Sequence, residues 1–221
     1  MKWQLSNRLV SATNQSDSIG YTTIDLLRHG VCEGGDTLRG STDFALLPEG
    51  LDQMDEVARH QPHWNRVISS PLKRCREFAE RIAAQRNIPL HLDDRWCEVD
   101  FGDWDGLEIE SIRANYPKES ELYYNQPTEF TPPAGEPILE FQERVVSAFK
   151  QLFDQYRGEH LLVVQHGGTA RVLLAHILKA PLSAAIRIVI PYACLTRIRV
   201  YHTQENNYPV LLAHIPEPSA D

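Results

Sequence analysis

The alternation of apolar and polar positions along the chain predicts β-strands separated by amphipathic helices. Four short apolar runs predict strands at Thr23–Leu27, Arg66–Ser69, Pro89–Leu92 and Leu161–Gln165. Apolar residues at helical spacing predict helices at Pro48–Ala58, Leu72–Gln85, Ile138–Tyr156 and Thr169–Leu178. Two later runs, Ala193–Tyr201 and Pro209–Ile215, predict two further strands. Strands that alternate with helices favour a three-layer α/β/α sandwich around a mainly parallel central sheet.

The helix after the second predicted strand has a start signal in Ser70 and Pro71. Serine commonly caps helix N-termini, and proline fits the first helical position. Arg74 is therefore predicted in the first turn of this helix, just past the end of a strand.

The segment from Val99 to Pro137 differs in composition from the rest of the chain. It holds nine acidic and two basic residues, five prolines and six aromatic side chains. We interpret it as a cap inserted over the edge of the sheet. Residues 1–20 are polar and rich in Ser and Asn, and we interpret them as a loosely ordered lead-in to a single domain at residues 21–221.

Composition narrows the class of partner. The chain has 221 residues, a length that suits one α/β domain. Its 30 acidic and 22 basic residues give a formal net charge of −8 without any basic run, which excludes nucleic acid and anionic membranes as partners. Four cysteines without paired spacing, and no long apolar segment or secretion signal, predict a cytoplasmic protein.

Two predicted strands end on the dipeptide His-Gly, at His29–Gly30 and at His166–Gly167. Because the carboxyl ends of parallel strands open onto the same edge of a sheet, both imidazoles are predicted at one site. Arg28 stands directly before His29, and its permanent charge favours an oxyanion such as phosphate over a divalent metal ion. The pattern predicts phosphoryl chemistry with no metal ion or other cofactor.

Phosphoryl transfer needs cations around the phosphoryl oxygens and a nucleophile in line with the leaving group. Arg28, Arg74 and a protonated His166 are the candidate cations. A neutral His29 is the candidate nucleophile, and it would form a phosphohistidine that water then hydrolyses.

The leaving alkoxide needs a proton, and Glu98, near the start of the cap, is the candidate donor. Asp94 and Asp100 are rival carboxylates, and a solvated Glu98 without a catalytic role is the alternative. Cys32 is interpreted as a small apolar residue rather than a thiol nucleophile.

Five segments in this order resemble the motifs of the histidine phosphatase superfamily, also called phosphoglycerate-mutase-like. They are Leu27–Gly30, Arg39–Asp43, Ser69–Cys75, Glu98 with Phe101–Gly106, and Gln165–Arg171, within about residues 22–175. The resemblance implies the phosphoglycerate-mutase-like fold and a phosphorylated His29. It also implies that Arg28, Arg74 and His166 hold the phosphoryl group. Glu98 would be the proton donor, and Arg39, Gly40 and Gly167 are expected to bind substrate as well.

The sequence departs from the commonest family pattern just after the first histidine. Cys32 and Gly35 occupy positions where many members have Thr or Ser and Asn, respectively. We expect backbone N–H groups of Glu33, Gly34 and Gly35 to replace the lost side-chain contact with phosphate. This stretch looks most like the α-ribazole-5′-phosphate phosphatases of cobalamin assembly.

The acidic cap favours hydrolysis over isomerisation, because mutases of this family hold a second anionic group with basic cap residues. The predicted function is hydrolysis of a small phosphorylated metabolite, with α-ribazole-5′-phosphate as the specific expectation. A broad sugar-phosphate or fructose-2,6-bisphosphate phosphatase or a phosphoglycerate mutase-like enzyme is one alternative. A catalytically weak phosphoester-binding protein is another. The aromatic residues of the cap either stack on the leaving group or only pack the insertion. Whether the protein forms a homodimer is left open.

Overall fold

The secondary structure alternates between strands and helices over residues 20–61 and 63–215, which the computed structural model describes. The strands are β1 (Tyr21–Arg28), β2 (Arg66–Ser69), β3 (Leu90–Leu92), β4 (His160–Gln165), β5 (Leu195–His202) and β6 (Asn207–Ile215). The helices are α1 (Pro48–Arg59), α2 (Lys73–Arg86), α3 (Ile109–Asn115), α4 (Pro117–Asn125), α5 (Ile138–Gln155) and α6 (Gly167–Ile177). Short 3₁₀ segments lie at Asp94–Trp96, Gly102–Trp104 and Leu182–Arg187.

The strands form one sheet in the order β3-β2-β4-β1-β5-β6. The first four strands in this order run parallel, whereas β5 is antiparallel to β1 and to β6. The prediction of a mainly parallel sheet is therefore confirmed. This order places β1 and β4, the two strands that end on His-Gly, side by side in the middle of the sheet.

Apolar cores lie on both faces of the sheet and make the fold a three-layer sandwich. Because successive side chains of a strand point to opposite faces, Leu26 and Leu27 of β1 enter different cores, as do Val163 and Val164 of β4. The core around Leu27 includes side chains of α1 and α2, and the core around Leu26 includes side chains of α5 and α6. The ends of β1 and β4 therefore lie between two packed layers.

The start of α2 differs from the prediction. The helix begins at Lys73 with Leu72 at the N-cap position, so the prediction that Ser70 caps it is wrong. The Ser70 hydroxyl lies instead 2.9 Å from Nε2 of His166. Proline suits extended backbone as well as a first helical turn, so Pro71 does not locate the boundary. Arg74 still lies in the first turn and is fully buried.

The cap segment contains two helices, α3 and α4, that the apolar pattern does not predict. Pro117 begins α4, where a missing backbone N–H costs no hydrogen bond. The ring of Trp104 lies between 5.3 and 6.1 Å from the rings of Tyr116, Tyr123 and Phe130. These rings form an aromatic cluster that is continuous with the core around Leu26.

Two further expectations concern the lead-in and the cysteines. The lead-in predicted for residues 1–20 lies outside the described residues except for Gly20. All four cysteines are free, and Cys32 is buried, which raises the pKa of its thiol and fits a small apolar residue. Among the described residues, no helix combines the length and the apolar character needed to cross a bilayer.

Candidate active site

The ends of β1 and β4 bring His29 and His166 together. Arg28 pairs with Gln165 in the parallel register, so the two histidines follow at the same level of the sheet. The backbone N–H of His29 donates to the carbonyl oxygen of Gln165 at 3.0 Å. The centroids of the two imidazole rings are 5.3 Å apart. Both rings thus lie at the carboxyl ends of the parallel strands, as the strand pattern predicts.

His29 is buried and uncharged at neutral pH. Its Nδ1 lies 2.8 Å from the carbonyl oxygen of Gly30, and because a carbonyl only accepts hydrogen bonds, Nδ1 carries the proton. Nε2 therefore has a free lone pair. Burial, together with the charges of Arg28 and Arg74, holds the pKa of His29 well below its usual value of 6.5. The ring can act as a base or a nucleophile at pH 7.

Arg28 is a half-buried cation whose donors are not all used within the described part of the chain. Its guanidinium carbon lies 4.2 Å from the ring centre of Tyr192, and Nη1 donates to the carbonyl of Ile190 at 2.5 Å. Its buried Nε–H has no hydrogen-bond partner within the described part of the chain. An unpaired charged donor is costly, and an oxyanion would provide the missing acceptor.

His166 is fully buried beside Arg74. Nε of Arg74 donates to Nδ1 of His166 at 3.2 Å, so Nδ1 carries the lone pair, and Nε2 donates to the Ser70 hydroxyl at 2.9 Å. Burial and the charge of Arg74 hold the pKa of His166 well below 6.5. The expectation of a protonated His166 is therefore wrong. Nδ1 accepts a hydrogen bond from the positively charged Arg74, and a proton on Nδ1 would point at that donor.

The other donors of Arg74 organise the loop that carries Arg39. Nη1 donates to the carbonyl of Thr42 at 2.9 Å, and Nη2 donates to the carbonyls of Arg39 and Gly40 at 3.1 and 2.8 Å. Gly40 allows close approach of two backbones, since a Cβ there would lie 2.4 Å from the carbonyl oxygen of Val99. Arg74 and Gly40 thus shape this loop.

The carboxylate of Glu98 lies at the N-terminus of α6. It accepts hydrogen bonds from the backbone N–H of Gly168 at 2.8 Å and from that of Val99 at 3.0 Å. A Cβ on Gly168 would lie 2.2 Å from Oε1 of Glu98, and a Cβ on Gly167 would lie 3.4 Å from Nε of Arg28. The glycine pair therefore lets an acidic and a basic side chain meet at the start of the helix.

Residues 33–37 wrap around the side chain of Arg39. Its guanidinium donates to the carbonyls of Glu33 at 2.9 Å, Thr37 at 3.3 Å and Gly35. The backbone N–H of Glu33 donates to the carbonyl of Ala45 at 3.0 Å. The expectation that this N–H faces a phosphate is therefore wrong, because it is already used to close the loop.

A cavity of about 350 Å³ opens beside His29. Five of the predicted site residues line it, namely Arg28, His29, Arg39, Glu98 and Gly167, whereas Gly40, Arg74 and His166 do not. The other walls are mostly apolar and aromatic and include Phe101, Tyr123, Tyr124, Phe141, Leu182 and Ile186. The cavity therefore combines charged side chains with largely apolar walls.

Tyr192 and Arg171 also line the cavity, and the sequence did not single them out as site residues. The ring centre of Tyr192 lies 5.7 Å from that of His29, and its hydroxyl accepts from Arg39 at 3.3 Å. Tyr192 precedes β5, whose start lies beside the end of β1, a pairing that sequence does not reveal. Arg171 could have been predicted as a site residue from its position four residues after Gly167, which puts both on the same helix face.

The charged groups that line the cavity suit an anion beside His29. They comprise three arginines and two carboxylates, which are Arg28, Arg39, Arg171, Asp36 and Glu98. Between residues 20 and 215, Pro62 aside, no three His, Cys, Asp or Glu side chains are grouped as ligands for a metal ion. Guanidinium groups beside a neutral imidazole match the oxygens of a phosphate ester.

The sequence is similar to those of known phosphatases. The family model of the histidine phosphatase superfamily (branch 1) matches residues 24–208. The uncharacterized phosphatase PhoE of Bacillus subtilis is 28% identical over 182 residues, which are 80% of this chain and 88% of that protein. The adenosylcobalamin/alpha-ribazole phosphatase of Salmonella typhimurium is 27% identical over 183 residues, which are 79% of this chain and 89% of that protein.

The fold is similar as well. The structure of YhfR from Bacillus stearothermophilus superimposes with a TM-score of 0.75 at 28% identity and covers 83% of this chain and 95% of YhfR. The chain therefore belongs to branch 1 of the histidine phosphatase superfamily and is one of its phosphoric monoester hydrolases.

Proposed function

We propose that this phosphatase works without a metal ion and transfers the phosphoryl group of a small phosphate ester to Nε2 of His29. The observation that carries the proposal is the hydrogen bond from Nδ1 of His29 to the carbonyl of Gly30 at 2.8 Å, which leaves a lone pair on Nε2 at the cavity wall. The lowered pKa keeps the ring neutral at pH 7. A neutral imidazole can attack phosphorus, whereas an imidazolium cannot.

In the first step, Nε2 of His29 forms a bond to phosphorus while the bond from phosphorus to the ester oxygen breaks. Arg28, with its unpaired Nε–H, and Arg39 stabilise the charge on the phosphoryl oxygens. A protonated Glu98 gives its proton to the leaving oxygen, so that a neutral alcohol departs. The products of this step are the alcohol and a phosphohistidine.

In the second step, water attacks phosphorus and the carboxylate of Glu98 takes one of its protons. The bond between phosphorus and Nε2 breaks, which releases inorganic phosphate and restores neutral His29. Arg74 adds positive charge from its buried position and keeps the loop of Arg39 in place. His166 is held between Arg74 and Ser70 at the side of His29.

For the substrate, we propose α-ribazole-5′-phosphate. The Salmonella typhimurium relative carries this activity in its name. The aromatic wall at Phe101, Tyr123 and Tyr124 offers rings on which a benzimidazole can stack. The acidic cap disfavours esters that carry a second anionic group, such as phosphoglycerate.

The proposal is tested with p-nitrophenyl phosphate in the presence and absence of a chelator, and then with a panel of esters. We expect turnover that the chelator does not reduce and that His29→Ala lowers by about a thousandfold or more, while the exposed His91→Ala keeps it. Among α-ribazole-5′-phosphate, 3-phosphoglycerate and fructose 2,6-bisphosphate, the first should have the highest kcat/KM. Inactivation by the chelator would contradict the metal-free mechanism, and equal rates over the panel would replace the proposed substrate by a broad range of esters.

A further inference from the structure

Arg171 occupies a position from which it reaches the active site. It follows Gly167 by four residues and Gly168 by three, so it lies on the same face of α6 as both. Side chains of a helix tilt toward its N-terminus, which here is the end next to Glu98 and Arg28. The Arg171 side chain lines the cavity together with both glycines.

The outer nitrogens of Arg171 have no acceptor in the described part of the chain. Nε donates to the carbonyl of Ile188 at 3.0 Å, which fixes the direction of the guanidinium. No hydrogen bond or ion pair joins Nη1 or Nη2 to any residue among those described. The proposed mechanism does not use Arg171, so its two outer nitrogens are charged donors without an assigned role.

The surroundings of Arg171 define which part of a substrate would reach it. Arg28 and Arg171 line the same cavity, and the charge of Arg171 adds to the effect of burial in lowering the pKa of Arg28. The walls of the cavity that Arg171 lines are mostly apolar or aromatic and include Tyr123, Val172 and Leu182. The proposed mechanism uses Arg28 and Arg39 for the phosphoryl oxygens and Glu98 for the leaving oxygen, which leaves Arg171 for the alcohol part of the ester.

The remaining charges in the cavity argue for an uncharged acceptor on that alcohol. Asp36 also lines the cavity and would repel a second anion, as would the acidic cap. We propose that Arg171 is a specificity-determining residue that binds an uncharged hydrogen-bond acceptor, a carbonyl, hydroxyl or ring nitrogen, on the alcohol part of the substrate. This inference rests on the proposed phosphatase function. It assigns the substrate class as phosphate monoesters of alcohols that combine an apolar ring with such an acceptor.

The experiment uses three esters that differ in one substituent. In 3-carbamoylphenyl phosphate the substituent has an acceptor, in 3-isopropylphenyl phosphate it has the same shape without one, and in 3-carboxyphenyl phosphate it is anionic. The kcat/KM ratio of the carbamoyl to the isopropyl ester is measured for the wild type, Arg171→Met and Arg171→Lys. Arg157→Met, which changes an exposed arginine in the turn after α5, is the matched control. The ratio cancels any general loss of activity or folded protein.

We expect the ratio to fall about tenfold or more in Arg171→Met, which is the effect of losing a charge-assisted hydrogen bond. It should recover in part in Arg171→Lys and stay at the wild-type value in Arg157→Met. An unchanged ratio in Arg171→Met would overturn the role of Arg171 while the phosphatase function stands. A carboxyl ester that reacts faster than the carbamoyl ester would overturn the assignment to an uncharged acceptor. Failure of the wild type to hydrolyse any of the three would overturn both proposals.

Discussion

At the scale of single residues, two equally buried histidines differ in their hydrogen bonds. Nδ1 of His29 donates to a backbone carbonyl, whereas Nδ1 of His166 accepts from Arg74. The first arrangement leaves Nε2 free, and the second makes both nitrogens partners of protein groups. Nε2 of His29 is therefore available to react, whereas the ring of His166 is held in place by hydrogen bonds at both nitrogens.

The depressed pKa of His29 predicts how activity depends on pH. The reactive form is neutral, and because the pKa lies below 6.5, lowering the pH from 7 to 6.5 leaves most of the ring reactive. We expect kcat/KM for p-nitrophenyl phosphate to hold over this range and to fall at lower pH. The His29 resonance, assigned by comparison with His29→Ala in an NMR titration, should show its step below pH 6.5. A step at or above that pH would contradict the neutral nucleophile.

A second prediction at this scale concerns Glu98. Glu98→Gln keeps an acceptor for the N–H of Gly168 but removes the proton that the leaving oxygen needs. We expect kcat/KM for alkyl phosphates to fall by about a hundredfold, and that for p-nitrophenyl phosphate by much less, because nitrophenolate leaves without a proton. Asp100→Asn is the matched control and should not change the dependence on leaving group. Equal slowing of both ester classes would remove Glu98 from the acid role.

The sequence predicts part of this residue-level arrangement. The two strand ends in His-Gly, with Arg28 beside the first, place the histidines at one site without knowledge of the fold. The protonation of His166 depends on its contact with Arg74, 92 positions earlier in the chain, and no local pattern encodes it. The same holds for Tyr192, which reaches His29 only because β5 runs antiparallel to β1.

At the scale of elements, strands and long helices were predictable because both depend on local apolar periodicity. β2 matches its prediction at both ends, and α5 ends one residue before its predicted end. α3 and α4 were missed, since much of the packing of the cap comes from the aromatic cluster around Trp104 rather than from regular apolar spacing. Ser70 alone does not locate the start of α2, because its hydroxyl lies 2.9 Å from Nε2 of His166, which is distant in the sequence.

At the junction between β1 and α1, Gly30 and Gly50 are in direct contact, since a Cβ on Gly30 would lie 2.0 Å from the carbonyl oxygen of Gly50. A Cβ on Gly50, in the first turn of α1, would lie 2.0 Å from the carbonyl oxygen of Val31. We expect Gly50→Ala to lower the free energy of unfolding by about 2 kcal/mol, because overpacking against backbone outweighs the better helix propensity of alanine. Urea denaturation measures this difference. Gly20→Ala, where a Cβ would meet nothing within 4 Å, is the control, and equal stability of the two variants would contradict the close contact.

At the scale of the whole molecule, a buried carboxylate links segments that are far apart in sequence. Asp25 of β1 accepts hydrogen bonds from Arg197 of β5 at 2.7 and 2.8 Å, from Trp64 at 2.8 Å and from His160 of β4 at 2.9 Å. From the sequence, Asp25 is only an acidic residue within an apolar strand. Its hydrogen-bond partners cannot be predicted, because they become its neighbours only through the order of the strands in the sheet. The cavity likewise needs the whole fold, since its walls come from the loop after β1, the cap and the segment Leu182–Arg187.

Asp25→Asn should destabilise the protein in a pH-dependent manner. Burial raises the pKa of Asp25, but hydrogen bonds from Arg197 and His160 outweigh it and hold the folded pKa below the ordinary 3.8. The stabilisation is therefore complete above pH 3.8 and is lost as the pH falls through the folded value. At pH 7 we expect the variant to lose about 3 kcal/mol, since the charge of Arg197 loses its buried partner. Denaturation at pH 7 and pH 3, with the exposed Asp52→Asn as control, should show a smaller difference at pH 3, and an equal difference at both would contradict this account.

A phosphoryl group bound covalently to His29 can be identified by mass spectrometry. Wild-type protein is mixed rapidly with p-nitrophenyl phosphate, quenched in alkali to preserve phosphohistidine, digested and analysed by mass spectrometry. We expect one phosphoryl group on the peptide that carries His29, formed at least as fast as turnover and absent from His29→Ala. A phosphoryl group on another residue, or a His29→Ala variant that turns over at a near-normal rate, would contradict this role of His29.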